Sequence, residues 1–164
     1  MLVINDLHIG VNRAGGTTPQ SQAALRDYLR NGLEQLINNE DQFVIVNGDL
    51  FDSFTVDPLE VVKTARLFLR WLSKTNSRAL NIVAGNHDYK PKADNLSSFH
   101  LLAHMLAFSE YENQVVVHDK ELGRVCGTVW CIPHMPNQDL FNVEVAKAAE
   151  RDGKGRQLLL HCNY

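Results

Sequence analysis

Cysteine is scarce in this chain. Cys126, Cys131 and Cys162 are all it has, and no two stand in a CxxC pair. That excludes a thiolate metal cluster and an even disulfide framework, and leaves free thiols in a reducing compartment as the expectation. Long apolar runs are missing as well. No stretch reaches the length that spans a bilayer, and the opening MLVINDLHIG lacks the positive and apolar regions of a secretory leader. Positive charge is not in surplus: 16 Lys and Arg stand against 19 Asp and Glu, a formal net charge of −3. A broad basic surface for wrapping nucleic acid is thereby excluded, but a local site is not. No internal repeat, low-complexity segment or composition break divides the sequence. A soluble, cytoplasmic protein without membrane contact is expected.

What the chain does have is material for a core. With 164 residues, 45% apolar and 21% charged, it can bury one, so residues 1–164 read as a single domain. Apolar runs of strand length alternate with helical patterns. MLVIN opens as a strand. TPQSQAALRDYLRNGLEQLINN follows as a helix, with Pro19 near its start and apolar residues near helical spacing. QFVIVNGD reads as a buried strand, residues 58–74 as a helix, RALNIVAGN as a strand, and LSSFHLLAHMLAFS as a third helix capped by Ser97 or Ser98. QVVVHD and GRVCGTVWCIP read as strands, NQDLFNVEVAKAAERDG as a fourth helix and RQLLLHCNY as the start of another strand. The β-α-β-α-β opening predicts a mainly parallel sheet in the first half of an α/β fold. The sequence stops three residues after His161, on a strand of core character. The domain is therefore expected to be the N-terminal part of a longer protein, incomplete at its C-terminus.

In open sheets of this kind, ligands gather outside the carboxyl ends of the strands. The residues found there are unusual. Asp6 and His8 follow MLVIN; two apart in an extended segment, their side chains would point the same way. Gly48, Asp49 and, three further on, Asp52 follow FVIVN. Gly85, Asn86, His87 and Asp88 follow NIVA, and His161 follows QLLL. Asn, Asp, His and Gly are ordinary turn residues, and DxH or GDxxD alone is weak. All of them in order, each at a strand end, point to a shared metal site. Carboxylate, amide and imidazole donors suit Mn²⁺ or Fe²⁺, with Mg²⁺ or Zn²⁺ as alternatives. Five such ligands exceed the needs of one catalytic ion. Two ions ~3.5–4 Å apart, bridged by Asp49, can hold a hydroxide and clamp a phosphate for in-line attack.

Together DLH, GDLFD and GNHD resemble the calcineurin-like metallophosphoesterase family, over nearly the whole chain. The resemblance implies a layered αββα sandwich. It implies Asp6 and His8 on one metal, Asp49 bridging, and Asn86 and His161 on the second. His87 would be the non-ligand that protonates the leaving oxygen, and Asp88 would orient it through a hydrogen bond. Within the family, GDLFD and DLHIG resemble the DNA-repair nuclease branch, the nuclease subunit of SbcCD-type complexes, and not the protein phosphatases with their GDxxDRG and GNHE. CIPHMP resembles a segment of the same branch, where the position of His134 is more usually aromatic. The implied activity is Mn²⁺-dependent exo- or endonucleolytic hydrolysis of DNA, with an SMC-like ATPase as partner. The later GHxH motif that closes such sites is absent, which leaves five of seven implied ligands. Two alternatives remain: a small-molecule phosphodiesterase or phosphatase on the same scaffold, and a non-catalytic interaction module with an incomplete site.

Other residues carry less. His118 reads as a strand-end residue, His100 and His104 as packing or surface residues of the third helix, and Trp71 and Trp130 as core or interface aromatics. Lys90 and Lys92, just past GNHD, are candidate phosphate contacts. Helices 58–74 and 97–108 carry apolar residues beyond a single stripe, which predicts a homodimer packed through them across a two-fold axis.

Overall fold

Alternation along each strand decides the layering. In the computed structural model, which describes residues 1–12, 18–39, 42–89, 96–125, 129–152 and 157–161, β1 (Leu2–Asn5), β2 (Phe43–Asn47), β3 (Ala79–Val83) and β4 (Val115–His118) form one parallel sheet in that order. Three helices connect them: α1 (Pro19–Asn38), α2 (Pro58–Leu72) and α3 (Ser98–Ala107). A second sheet holds β5 (Gly123–Val125), β6 (Val129–Ile132) and β7 (Gln157–Leu160), with β5 antiparallel to β6 and β6 parallel to β7. The crossover from β6 to β7 contains α4 (Gln138–Asp152).

Residues two apart share a face of a strand. Ile4, Val44, Val46, Leu80 and Ile82 pack on one side of the first sheet with Leu33, Ile37, Phe68, Trp71, Phe99 and Leu102 of α1, α2 and α3. On the other side Val3, Ile45 and Val83 meet Val129, Cys131 and Leu159 of the second sheet. The outer face of that sheet, with Trp130, Ile132 and Leu160, is covered by Phe141, Val145 and Ala148 of α4. The result is the expected order of helices, sheet, sheet, helix.

Helix starts are legible in side chains. Thr18, Asp57 and Ser97 accept hydrogen bonds from the backbone N–H groups of Ser21, Leu59 and His100, and Pro follows the first two caps.

One expectation is corrected. GRVCGTVWCIP is not one strand but two, β5 and β6, paired antiparallel on either side of 126–128, which lie outside the described residues. The surplus of apolar residues on helices 58–74 and 97–108 is mostly covered within the chain, because α2 and α3 pack on each other as well as on the sheet. Phe68, Trp71, Leu72, Phe99, Leu102 and Leu106 are buried, and Leu59, Leu101 and Phe108 stay exposed.

Candidate metal centre

Pairing between the first two strands continues past their ends. The His8 N–H donates to the Asp49 carbonyl (3.0 Å), Ile9 N–H to Leu50 (2.8 Å), and Asp52 N–H back to Ile9 (3.0 Å). Ile9, Leu50 and Phe51 are fully buried and anchor this second, shorter pairing. Between the two paired segments the backbone turns sharply. Asp6 (φ 51°), His8 (φ 48°) and Asp49 (φ 42°) all lie in the left-handed region. Non-glycine residues rarely stay there without surroundings that hold them, and such strain gathers at functional sites. The extended path expected for Asp6 and His8 is thus corrected: both residues are in the left-handed region, and they contribute to different sets of ligand atoms.

Those sets meet at Asp49, which is buried at the end of β2. Its Oδ1 lies 3.4 Å from His161 Nε2, and its Oδ2 lies 3.8 Å from His87 Nε2 and 4.0 Å from His8 Nε2. Burial pushes the Asp49 carboxyl up, but the His161 hydrogen bond, the His87 N–H (3.0 Å) and the electrostatic pull of the His161 and His87 side chains together hold it below its ordinary value. Asp6, Asp49 and His161 offer one set of ligand atoms within 4.8 Å of one another; His8, Asp52 and His87 offer a second. His8 Nδ1 is buried without a hydrogen bond, Asp52 Oδ1 being 3.4 Å away. Hard oxygen and imidazole donors in two adjoining sets, with a buried orphan nitrogen among them, fit a pair of divalent cations.

The second sheet supplies His161. Its N–H donates to the Ile132 carbonyl (3.1 Å), its Nδ1 contacts the Asn47 carbonyl (3.2 Å) and its Nε2 meets Asn86 Oδ1 (3.0 Å). Burial pulls the imidazole down, but the Asp49 hydrogen bond and charge leave it above its ordinary value. Gly48, at φ 80°, passes so close that any Cβ there would fall on this ring. A Cβ on Gly85 would likewise meet Asp49. The amide of Asn47 ties the two sheets behind the site, donating to Asn5 Oδ1 (3.0 Å) and to the Leu160 carbonyl (3.2 Å).

The family model for calcineurin-like phosphoesterases matches residues 1–161, nearly the whole chain. The chain belongs to that family. It is therefore a metallophosphoesterase domain of a dinuclear, metal-dependent hydrolase family, and two groups of side chains among its described residues could each hold a metal ion. A search of curated proteins found no match.

Against the residues singled out in the sequence, this calcineurin-like phosphoesterase brings Asp6, His8, Asp49, Asn86, His87 and His161 to one place. Asp88 is adjacent but occupied otherwise. Its Oδ2 accepts the Gly85 N–H (2.8 Å), closing the 3-10 turn Asn86–Asp88, and its Oδ1 has no hydrogen bond. Burial pushes this carboxyl up to about 7, with the Asp49 charge adding to the rise. The contact on His87 Nδ1 comes instead from the Asp52 carbonyl. Asp52 is the residue sequence reasoning undervalued, and the three-residue spacing of GDLFD was the available signal. Lys90 and Lys92 lie outside the described residues. His118 is buried against Asn81 Oδ1 (3.1 Å), away from the ligand sets. His100 pairs with Ser97 and Asp119, and His104 stacks on Phe108. Among the described residues no helix is long and apolar enough to cross a membrane.

Proposed function

We propose that this metallophosphoesterase hydrolyses DNA phosphodiesters, as the cytoplasmic nuclease subunit of an SbcCD-type complex with an SMC-like ATPase. Metal-dependent phosphoester hydrolysis follows from the family; the DNA substrate rests on the GDLFD and DLHIG motifs and on the absence of GDxxDRG and GNHE. The observation that carries the reading is one buried carboxylate, Asp49, facing His161 through one oxygen and His8 and His87 through the other. Two divalent cations there, Mn²⁺ by donor type, would supply Lewis acidity and a nucleophile at neutral pH.

The protein's own groups divide the remaining work. A carbonyl can only accept, so the Asp52 contact fixes the hydrogen of His87 on Nδ1. Nε2 is then the atom that gains or loses a proton, and it faces the Asp49 side of the site. In this reading His87 protonates the leaving oxygen, a role worth roughly 10²–10⁴ in rate. Asp6, His8, Asp49, Asn86 and His161 are the proposed ligands; of the set of His8, Asp52 and His87, the Asp52 carboxylate is available to the same cation as His8, and His87 is assigned to proton transfer instead. Pairing of two copies through α2 and α3 would rest on the exposed Leu59, Leu101 and Phe108.

The test is cleavage of end-labelled duplex DNA with Mn²⁺, beside bis(p-nitrophenyl) phosphate. Cleavage of DNA that disappears in Asp49→Asn is the expected result. Turnover of the chromogenic ester alone selects the small-molecule phosphodiesterase, and undiminished DNA cleavage in Asp49→Ala overturns the two-cation site.

A further inference from the structure

A cleft of about 280 Å³ opens beside the metal centre, with Tyr89, Met135, Pro136 and Leu140 as its apolar walls. It begins where the site ends. Tyr89 directly follows the turn that carries Asn86, His87 and Asp88. His134, also on the cleft, donates its N–H to the Ala84 carbonyl (2.9 Å), just ahead of Gly85, and its ring feels the charges of His161 and Asp49. The far wall is held firmly: Asn137 Oδ1 accepts the N–H groups of Asp139 (2.9 Å) and Leu140 (3.3 Å), fixing the first turn of α4. Tyr89 and Leu140 are 49% and 58% exposed, apolar surface kept in water next to a polar site.

Size and charge narrow the occupant. The volume is at or below the ~300–1,000 Å³ range of sites for drug-sized ligands, so it has room for one flat ring system and not for a folded partner. Among the described lining residues, Asp119 and Lys120 carry opposite charges, so this pair gives the cleft no net attraction for a second phosphate. An aromatic and an aliphatic wall with polar groups at the edge suit a neutral ring that stacks on its face and hydrogen-bonds at its rim.

We propose that this cleft seats a single nucleobase, that of the nucleotide whose phosphate lies at the metal centre. The assignment rests on the DNA-hydrolase reading and adds to it the residues that hold the base.

Binding and turnover test it separately. The Mn²⁺-loaded protein is titrated with thymidine 5′-monophosphate and with deoxyribose 5-phosphate, which lacks the base. In parallel, KM is measured for thymidine 5′-(p-nitrophenyl phosphate) and for methyl p-nitrophenyl phosphate. Stacking of one base predicts a preference of about tenfold or more for the base-bearing member of each pair. Tyr89→Ala and Leu140→Glu, both at exposed positions where the fold tolerates change, should bring that ratio close to one, while Val143→Ser on the exposed side of α4 keeps it. Equal affinity for the two phosphates in the unaltered protein overturns the subsite, as does a ratio that survives both cleft variants. A base-dependent KM in a protein that leaves DNA intact overturns the nuclease reading and upholds the subsite.

Discussion

Asp88 should make the metal-free protein less stable as the solution becomes less acidic. Its carboxyl is 1% exposed, and its folded-state value is raised from 3.8 to about 7, chiefly by burial. The folded chain therefore holds this proton more tightly than the unfolded chain does. Where the unfolded state binds fewer protons, stability falls with rising pH. The loss begins near the ordinary carboxylate range and is complete once the pH passes about 7. The shift is about three pH units, and at 1.36 kcal/mol per unit the cost at pH 8 is about 4 kcal/mol. That is a large share of the 5–15 kcal/mol that holds a domain together. Asp88→Asn keeps an oxygen for the Gly85 N–H and removes the charge. Urea unfolding of chelator-treated protein, at pH 4.5 and pH 8, is the assay. The variant should be close to the parent at the lower pH and clearly more stable at the higher one. Equal differences at the two pH values, or a variant that is weaker at pH 8, would refute the account.

Further outcomes follow from the same geometry. His87→Gln should lower turnover by roughly 10²–10⁴ while Mn²⁺ occupancy, read by titration calorimetry, is retained; loss of the metal together with activity would make His87 a ligand. Gly48→Ala should weaken Mn²⁺ binding by displacing His161, and destabilise the fold by about 1–2 kcal/mol from the left-handed backbone alone; an unchanged Mn²⁺ isotherm would remove the cradle. In sedimentation velocity, Phe108→Glu and Leu101→Glu should dissociate a two-fold pair while keeping the circular dichroism of the parent, whereas Leu102→Glu, wholly buried, should unfold the monomer. A parent protein that sediments as a monomer at micromolar concentration would remove the dimer.

Most of this site was legible because chemistry and position coincided. Asp49, Asn86 and His161 are polar residues at or just past the ends of apolar runs, and the unbroken apolar character of β2 and β6 marks strands covered on both faces. What the pattern could not reveal was backbone direction. Asp6 and His8 are two apart, which suggests one face, yet a short second pairing through Ile9 and Phe51 forces both into the left-handed region. Nor does sequence spacing separate side-chain from main-chain work. Asp52 serves through a carboxylate near His8 and a carbonyl on His87, and only the second depends on the fold rather than the residue type. For α2 and α3, apolar periodicity records how much surface must be covered, and not what covers it.

The amide of Asn47 has a meaning for how the chain is assembled. It joins β2 to the carbonyl of Leu160, next to His161, and Asp49 and His161 are 112 positions apart in a centre that needs both. Closing so long a loop comes late in folding, since non-local contacts must wait for the entropy of closure to be met. The first sheet can offer Asp6 and Asp49 early, but their set has no third ligand until β7 docks. Capture of the cation of that set is thereby linked to completion of the fold, whereas the set of His8, Asp52 and His87 is complete without β7. Uptake of a second cation would mark the moment at which the last strand has found its place, so in a refolding experiment the second equivalent of metal should bind later than the signal of the parallel sheet.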